Sequence, residues 1–388
     1  MGSEKMVRLD RNVNLVVCQK SKVQDWVDHF RKYYPFYNVR NLTDKKEFET
    51  WMNVGSNRAD VLVINYDLLF RRKILLQLKD FTLMLDESSL IQNSTAKRTK
   101  FILKMNPSNV ILLSGTPSSG KYENLWTQIH LLGWDISQNI YNKQYVNWTL
   151  TRDDGSGIRH KVVDKKDPYK NVDRLKSKLR EHGAVFMKTE ECFDLPEQTF
   201  ITVNCGSTKE YHKFKKDSIV KLDDLVLIGD TTLTKLMYSR MLCGQYNQEK
   251  LQAFEDLVES TSDRLIVFYN FNEELERLKK VAMKLDRPIS EVNGHTKDLS
   301  AYETEENSVT FIQYQSGSMG LNLQKSNKII YFTLPLLSEH FEQSKKRVHR
   351  IGQTKPCFYY HMICKGTVEE DIFKTLEMRR DFSDELFR

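Results

Sequence analysis

Residues 83–93 read LMLDESSLIQN, an apolar run of Leu83, Met84 and Leu85 that stops on the adjacent carboxylates Asp86 and Glu87. An apolar strand ending this way places its acids at the carboxyl edge of an open α/β sheet, where such sheets bind ligands. There one carboxylate can hold a hydrated magnesium ion while the next orients or deprotonates an attacking water. The same pair also reads as a solvated strand end capping the helix that follows.

Working outward, short apolar runs of similar character recur at residues 13–18, 61–66, 81–85, 110–113, 265–269, 309–312 and 328–332. Between them, segments such as 22–33, 120–132 and 272–285 space their apolar residues at three and four, which predicts amphipathic helices. Alternation of this kind predicts an α/β fold with parallel sheets covered by helices on both faces. The strand series pauses between about 135 and 263, so the expectation is two α/β lobes, residues 1–195 and 196–388, joined by a largely helical middle with a hinge near Asp194, Leu195 and Pro196. A last helix is expected from Val368 to about Arg380.

Composition narrows the class. Of 388 residues 40% are hydrophobic and 29% charged, enough to bury large cores, which argues against extended disorder. The 59 basic and 52 acidic residues leave a net charge of +7, compatible with an anionic partner without requiring one. Six cysteines, at 18, 192, 205, 243, 357 and 364, form no close pairs in sequence, against both a disulfide framework and a thiolate zinc site. Apolar runs such as 61–70 are too short to span a bilayer, so no membrane role is expected, and the cytoplasm is the expected compartment.

Three further segments lie at or after expected strand ends. VILLSGTP, residues 110–117, carries Thr116 beside Gly115, suited to close backbone approach by a ligand or simply to a turn. VTFIQYQSGSMGLNL, residues 309–323, sets Gly317, Ser318 and Gly320 beyond a strand with Asn322 available for hydrogen bonding; it also reads as a tight loop. Gln343, Arg347 and Arg350 recur at four and three, which on a helix gives one face presenting guanidinium groups to an anion. Taken alone, a basic helix is also an ordinary solvated surface.

In this order the segments resemble the Swi/Snf-related ATPases of helicase superfamily two. LVVCQKSKVQDWVDHF (15–30) is similar to motif Ia and VLVINYDLL (61–69) to the strand of the next block. LMLDESS stands in the DEAH position, SGTP in motif III and RLIVFYNF (264–271) in motif IV. QYQSGSMGLNL (313–323) resembles motif V and QSKKRVHRIGQ (343–353) motif VI, while VFMKTEECFDLPEQ (185–198) resembles the end of the family's helical insertion. The resemblance implies two RecA-like lobes with a helical insertion between them, ATP and magnesium as cofactors, and translocation on double-stranded DNA. It implies magnesium on Asp86, catalysis by Glu87, and Arg347 and Arg350 reaching the γ-phosphate, with Gln343 on the same face and Gly320 beside the nucleotide. Lys20, Thr116, Gly317, Ser318 and Asn322 would contact the nucleic-acid backbone or couple it to the nucleotide. DESS in place of DEAH is the form associated with phage and bacterial relatives, so the setting implied is a bacterial or phage-infected cell; Ser89 stands where the histidine linking motifs II and III would be.

The family also needs a phosphate-binding loop, GxxxxGK[ST], before motif Ia, and no such string occurs in the chain. MGSEKM (1–6) matches its end poorly, with Glu4 in a glycine's place and only ten positions between Lys5 and Leu15. The first lobe is therefore expected to be incomplete at its N-terminus. Three readings follow: a DNA-dependent ATPase whose phosphate loop is supplied by a separate polypeptide or was lost from the sequence, a nucleotide-independent DNA-binding or scaffold module, or a degenerate product without activity.

Overall fold

The computed structural model describes residues 13–54, 60–152, 159–187, 193–222, 225–317 and 321–387. The chain divides into two compact units, Met1–Phe186 with Phe382–Arg388, and Met187–Asp381.

The first unit runs β1 (Asn14–Cys18), α1 (Val23–Tyr33), β2 (Asn38–Asn41), α2 (Lys45–Val54), β3 (Asp60–Asn65), β4 (Thr82–Asp86), α3 (Lys97–Ile102) and β5 (Asn109–Leu113). The five strands form one parallel sheet in the order β2-β3-β1-β4-β5. Every residue of β1 and β3 is buried, as central strands covered on both faces require. Because side chains alternate across a strand, Leu15 and Val17 join Leu62, Ile64, Leu83 and Leu85 in one core, whereas Val16 and Cys18 join Val61, Val63 and Met84 in the other. Beyond β5, α4 (Trp126–Leu131), α5 (Gln138–Tyr145) and α6 (Val172–Glu181) help to build an aromatic core containing Tyr122, Tyr141 and Tyr145. An antiparallel ribbon, β6 (Trp148–Arg152) with β7 (Arg159–Val163), leaves this helical region between α5 and α6.

The second unit begins with β8 (Gln198–Cys205), α7 (Lys209–Asp217), the hairpin β9 (Ile219–Leu222) and β10 (Leu225–Ile228), α8 (Thr232–Cys243) and α9 (Gln248–Glu259). It continues through β11 (Leu265–Tyr269), α10 (Asn272–Lys284), β12 (Ile289–Val292), β13 (Lys297–Asp298), β14 (Val309–Gln313), β15 (Lys328–Tyr331), α11 (Ser338–Lys345), β16 (Cys357–Cys364) and α12 (Val368–Phe387). Seven strands align as β13-β12-β14-β11-β15-β16-β8, parallel except for the short β13. β11 is again fully buried, with Ile266 and Phe268 on one core face and Leu265, Val267 and Tyr269 on the other.

The expected pause in strands between 135 and 263 is corrected by this structure. β8 is a member of the second sheet, and two antiparallel hairpins interrupt the helices. Among the described residues β8 pairs only with β16, at the sheet edge, so its sequence QTFITVNC alternates in polarity instead of running apolar. No helix among the described residues is long and apolar enough to cross a membrane.

Candidate functional site

The parallel sheet of the first unit brings its expected site residues to one edge. Asp86 ends β4 and Glu87 follows it; Lys20 lies exposed just after β1; Thr116 lies just after β5. Since β1, β4 and β5 are neighbours pointing the same way, these residues share the carboxyl edge of the sheet.

Asp86 is held from two sides. Its Oδ2 accepts a hydrogen bond from Trp26 Nε1 at 2.9 Å, and its backbone carbonyl accepts one from the Tyr66 hydroxyl at 2.9 Å. Burial first, then the nearby Asp86 carboxylate, push the Cys18 thiol up to about 12 and the Tyr66 hydroxyl well above its ordinary range, so neither competes with Asp86 for a cation at neutral pH. Glu87 adopts φ +54°, the left-handed region that costs a non-glycine residue about 1–3 kcal/mol and persists where the surroundings over-determine it. Carboxylates at a strand edge are suitable magnesium ligands, since that ion takes one or two of them and fills its remaining positions with water and phosphate oxygens.

The DESS and SGTP loops are tied together through side chains that sequence reasoning did not single out. Ser88 Oγ donates to Gln128 Oε1 at 2.8 Å, and Gln128 Nε2 donates to the Pro117 carbonyl at 2.6 Å. Gln92 Nε2 donates to the same carbonyl at 2.9 Å. The link therefore runs through Ser88 and α4, while Ser89, in the expected histidine position, is itself buried. Thr116 is 7% exposed, and its hydroxyl has no partner among the described residues.

The spacing GxxxxGK does occur once, as Gly115–Lys121 directly after β5, with Tyr122 in place of the serine or threonine. This loop is closed on itself. Thr116 N bonds Ser114 Oγ, Ser119 N bonds the Thr116 carbonyl, Gly120 N bonds Ser118 Oγ, and Lys121 N bonds the Ser118 carbonyl. Four of its amides are thus engaged and Tyr122 is fully buried, so the loop offers neither the run of free amides nor the metal-binding hydroxyl that a phosphate loop requires. The residues fit the magnesium-binding half of a nucleotide site and not its phosphate cradle.

In the second unit Asn322 and Arg350 come together, Arg350 Nη1 donating to Asn322 Oδ1. Leu323 N bonds the Arg347 carbonyl at 3.1 Å, joining the same two segments through the backbone. The expected single helical face is corrected: α11 ends at Lys345, so Gln343 is helical while Arg347 and Arg350 lie in the turns beyond. The reason is local anchoring. Gln353 Nε2 bonds the carbonyls of Gln324, Ser326 and Val348, His349 Nε2 lies 2.9 Å from the Pro196 carbonyl, and Gly352 takes φ +97°. Gly317 closes a single turn after β14, whereas Ser318 and Gly320 lie outside the described residues, as does MGSEKM.

One cluster of three possible metal ligands exists among the described residues: Cys243, Cys364 and Glu369, all buried. Lys250 Nζ lies 2.7 Å from both Glu369 oxygens and supplies the positive charge there, and burial holds the Cys243 thiol far up in its neutral form. This donor set is satisfied as a structural ion pair.

Each unit is built on a parallel α/β sheet, with acids at the sheet edge of the first and arginines beside a strand-end loop of the second. The chain belongs to the SNF2-related domain family, whose model matches residues 3–253, and the helicase conserved C-terminal domain matches residues 249–352. It is 22% identical to the SWI/SNF-related matrix-associated actin-dependent regulator of chromatin subfamily A member 1 of Mus musculus over 94% of this chain and 38% of that protein. It is 24% identical to the uncharacterized ATP-dependent helicase YqhH of Bacillus subtilis (strain 168), over 96% of this chain and 70% of that one. Among solved structures, the Sulfolobus solfataricus SWI2/SNF2 ATPase core in complex with dsDNA superposes with a TM-score of 0.42 at 19% identity, covering 98% of this chain and 83% of that one. The chain thus spans under two fifths of the mouse relative's length.

Proposed function

We propose that this chain is the motor core of a Swi/Snf-type, DNA-dependent ATPase that couples ATP hydrolysis to translocation on double-stranded DNA and needs a phosphate-loop segment that these 388 residues do not carry, whether from a separate polypeptide or from sequence lost from this chain. The observation that carries the reading is the gathering of Lys20, Asp86, Glu87 and Thr116 at the carboxyl ends of three adjacent parallel strands. In this reading Asp86 would hold a magnesium ion, which would supply charge stabilisation to a bound triphosphate, and Glu87 would position a water for attack. By the family resemblance Arg347 and Arg350 would neutralise charge on a transferred phosphoryl group, with Gln343 near them in sequence, an effect worth roughly a thousandfold or more in turnover. By the same resemblance Gly320 would serve the nucleotide, and Lys20, Thr116, Gly317, Ser318 and Asn322 would contact the DNA backbone or couple it to the nucleotide. The edge position of β5 supports the missing-segment part of the reading. β5 has a strand neighbour only on the β4 side among the described residues, and four of its five residues are half-buried, so a further parallel strand added there would end about 10 Å from Asp86, two strand spacings away. The proposed setting is the cytoplasm of a bacterial or phage-infected cell, which the DESS sequence supports.

The test is DNA-stimulated phosphate release from ATP by the chain alone and after adding a segment that carries GxxxxGK[ST]. Negligible release alone and rescue by the segment are expected, with rescue abolished by Glu87→Gln or Arg350→Ala. The closed Gly115–Lys121 loop favours a second reading, a nucleotide-independent DNA-binding module. DNA binding that responds to salt but not to nucleotide, without rescue, would select it.

A further inference from the structure

The ribbon β6–β7 has no place in the site described above. Its base is fixed: Asn147 N bonds the Pro168 carbonyl, Asp164 N bonds the Asn147 carbonyl, and Tyr169 stacks on buried Tyr122 with ring centroids 4.3 Å apart. Beyond that base the ribbon stands clear of the fold, with seven of its ten residues exposed and none buried. A two-stranded ribbon in water is marginally stable by itself, so a free-standing one needs another reason to persist.

Its register supplies one. Trp148 faces Val163, Leu150 faces Lys161 and Arg152 faces Arg159, and alternation puts these six side chains on one face. Two guanidinium groups directly opposite one another repel and weaken an isolated ribbon. Among the described residues neither arginine, nor Lys161, takes part in an ion pair. An anion placed between the arginines would turn that cost into a gain. Trp148 is 40% and Leu150 63% exposed on the same face, giving the cations apolar neighbours. The surroundings have the same sign: residues 148–181 hold ten basic against six acidic side chains, a net of +4 out of +7 for the whole chain, counting Asp153 and Asp154 in the connection outside the described residues.

We propose that β6–β7 is a DNA-contacting arm that lays its Arg152, Arg159 and Lys161 face on double-helical DNA. Charge complementarity selects a polyanion, and the ribbon's shape selects a duplex, since a major groove about 12 Å wide admits a two-stranded ribbon. The arm deepens the DNA-binding reading given above and rests on it only for the identity of the partner; it does not require hydrolysis.

The experiment measures duplex affinity against salt concentration for the full chain and for the triple variant Arg152→Gln, Arg159→Gln, Lys161→Gln. Each lost phosphate contact removes about 0.9 from the slope of log affinity against log salt, so a fall of about 2 to 3 is expected with an unchanged thermal melting temperature. An unchanged slope overturns the proposal, and if Lys20→Gln weakens binding in that case, the DNA reading of the main site survives. A reduced slope without phosphate release after the loop segment is added keeps the arm and sinks the motor reading. Equal loss of binding to single-stranded DNA, or displacement of duplex by polyglutamate as effectively as by unlabelled duplex, would overturn the commitment to double-helical DNA.

Discussion

Lys250 is fully buried, with its ammonium 2.7 Å from both oxygens of Glu369. Removing one partner of such a pair leaves the other charge buried and uncompensated, so Lys250→Met is expected to cost about 3–5 kcal/mol in urea unfolding, and Lys250→Met with Glu369→Leu to recover most of it. Burial pushes the Lys250 pKa down, but the Glu369 carboxylate outweighs it and the net shift is upward from 10.5. A raised folded pKa means that the stabilisation is complete below 10.5 and fades as pH rises above it; the stability gap between the native chain and Lys250→Met should be flat from neutrality to about pH 10 and shrink beyond. Trp26→Phe keeps an aromatic ring but removes the donor to Asp86. Hydrogen bonds to charged groups contribute about 1.5–3 kcal/mol, and a loss at the low end of that range is expected because the bond is half-buried, read as a lower denaturant midpoint for the first unit. Neither contact was legible in the sequence: Trp26 and Asp86 are 60 positions apart, and Lys250 and Glu369 are 119 apart.

At the scale of elements, α8 begins with a reciprocal capping box: Thr231 Oγ1 accepts from Thr234 N at 3.1 Å, and Thr234 Oγ1 accepts from Thr231 N at 2.9 Å. Thr231→Ala is expected to lower stability by about 1 kcal/mol and Thr231→Gly by a few tenths, measured by thermal unfolding of the two variants side by side. Most strands legible in sequence were buried on both faces; β5 was legible too, from its apolar residues 110–113, although it lies at the sheet edge among the described residues. β1, β3, β4, β11, β14 and β15 announce themselves by short runs dominated by apolar residues, because a central parallel strand meets a core above and below. β2, β8 and the two hairpins did not, since an edge or free-standing strand is buried on one face or neither and its pattern dissolves into polar alternation. The end of α11 was misread for a related reason. The spacing of Gln343, Arg347 and Arg350 continues a helical period, yet the hydrogen bonds of Gln353 stop the helix from outside it.

Across the whole molecule, the five cysteines of the described residues, Cys18, Cys205, Cys243, Cys357 and Cys364, are all free and buried. Burial pushes Cys18 and Cys205 up to about 12 and Cys357 up to about 11. Cys18, Cys205 and Cys357 therefore stay neutral, and a thiol reagent should reach the five buried thiols only after denaturant is added, with no acceleration between pH 7 and 9 in the native chain; prompt native labelling of more than one thiol would contradict this packing. Fold class and family are legible in the sequence, because strand periodicity and short motifs are local properties written along the chain. So is the fact that no complete GxxxxGK[ST] string is present. The shared sheet edge of Lys20, Asp86 and Thr116, the meeting of Asn322 with Arg350, the hydrogen bonds that close the Gly115–Lys121 loop and the opposed arginines on an unpacked ribbon come from three-dimensional contacts. Strand order, hydrogen-bond partnership and register arise from contacts between residues distant in sequence, and no local pattern encodes them.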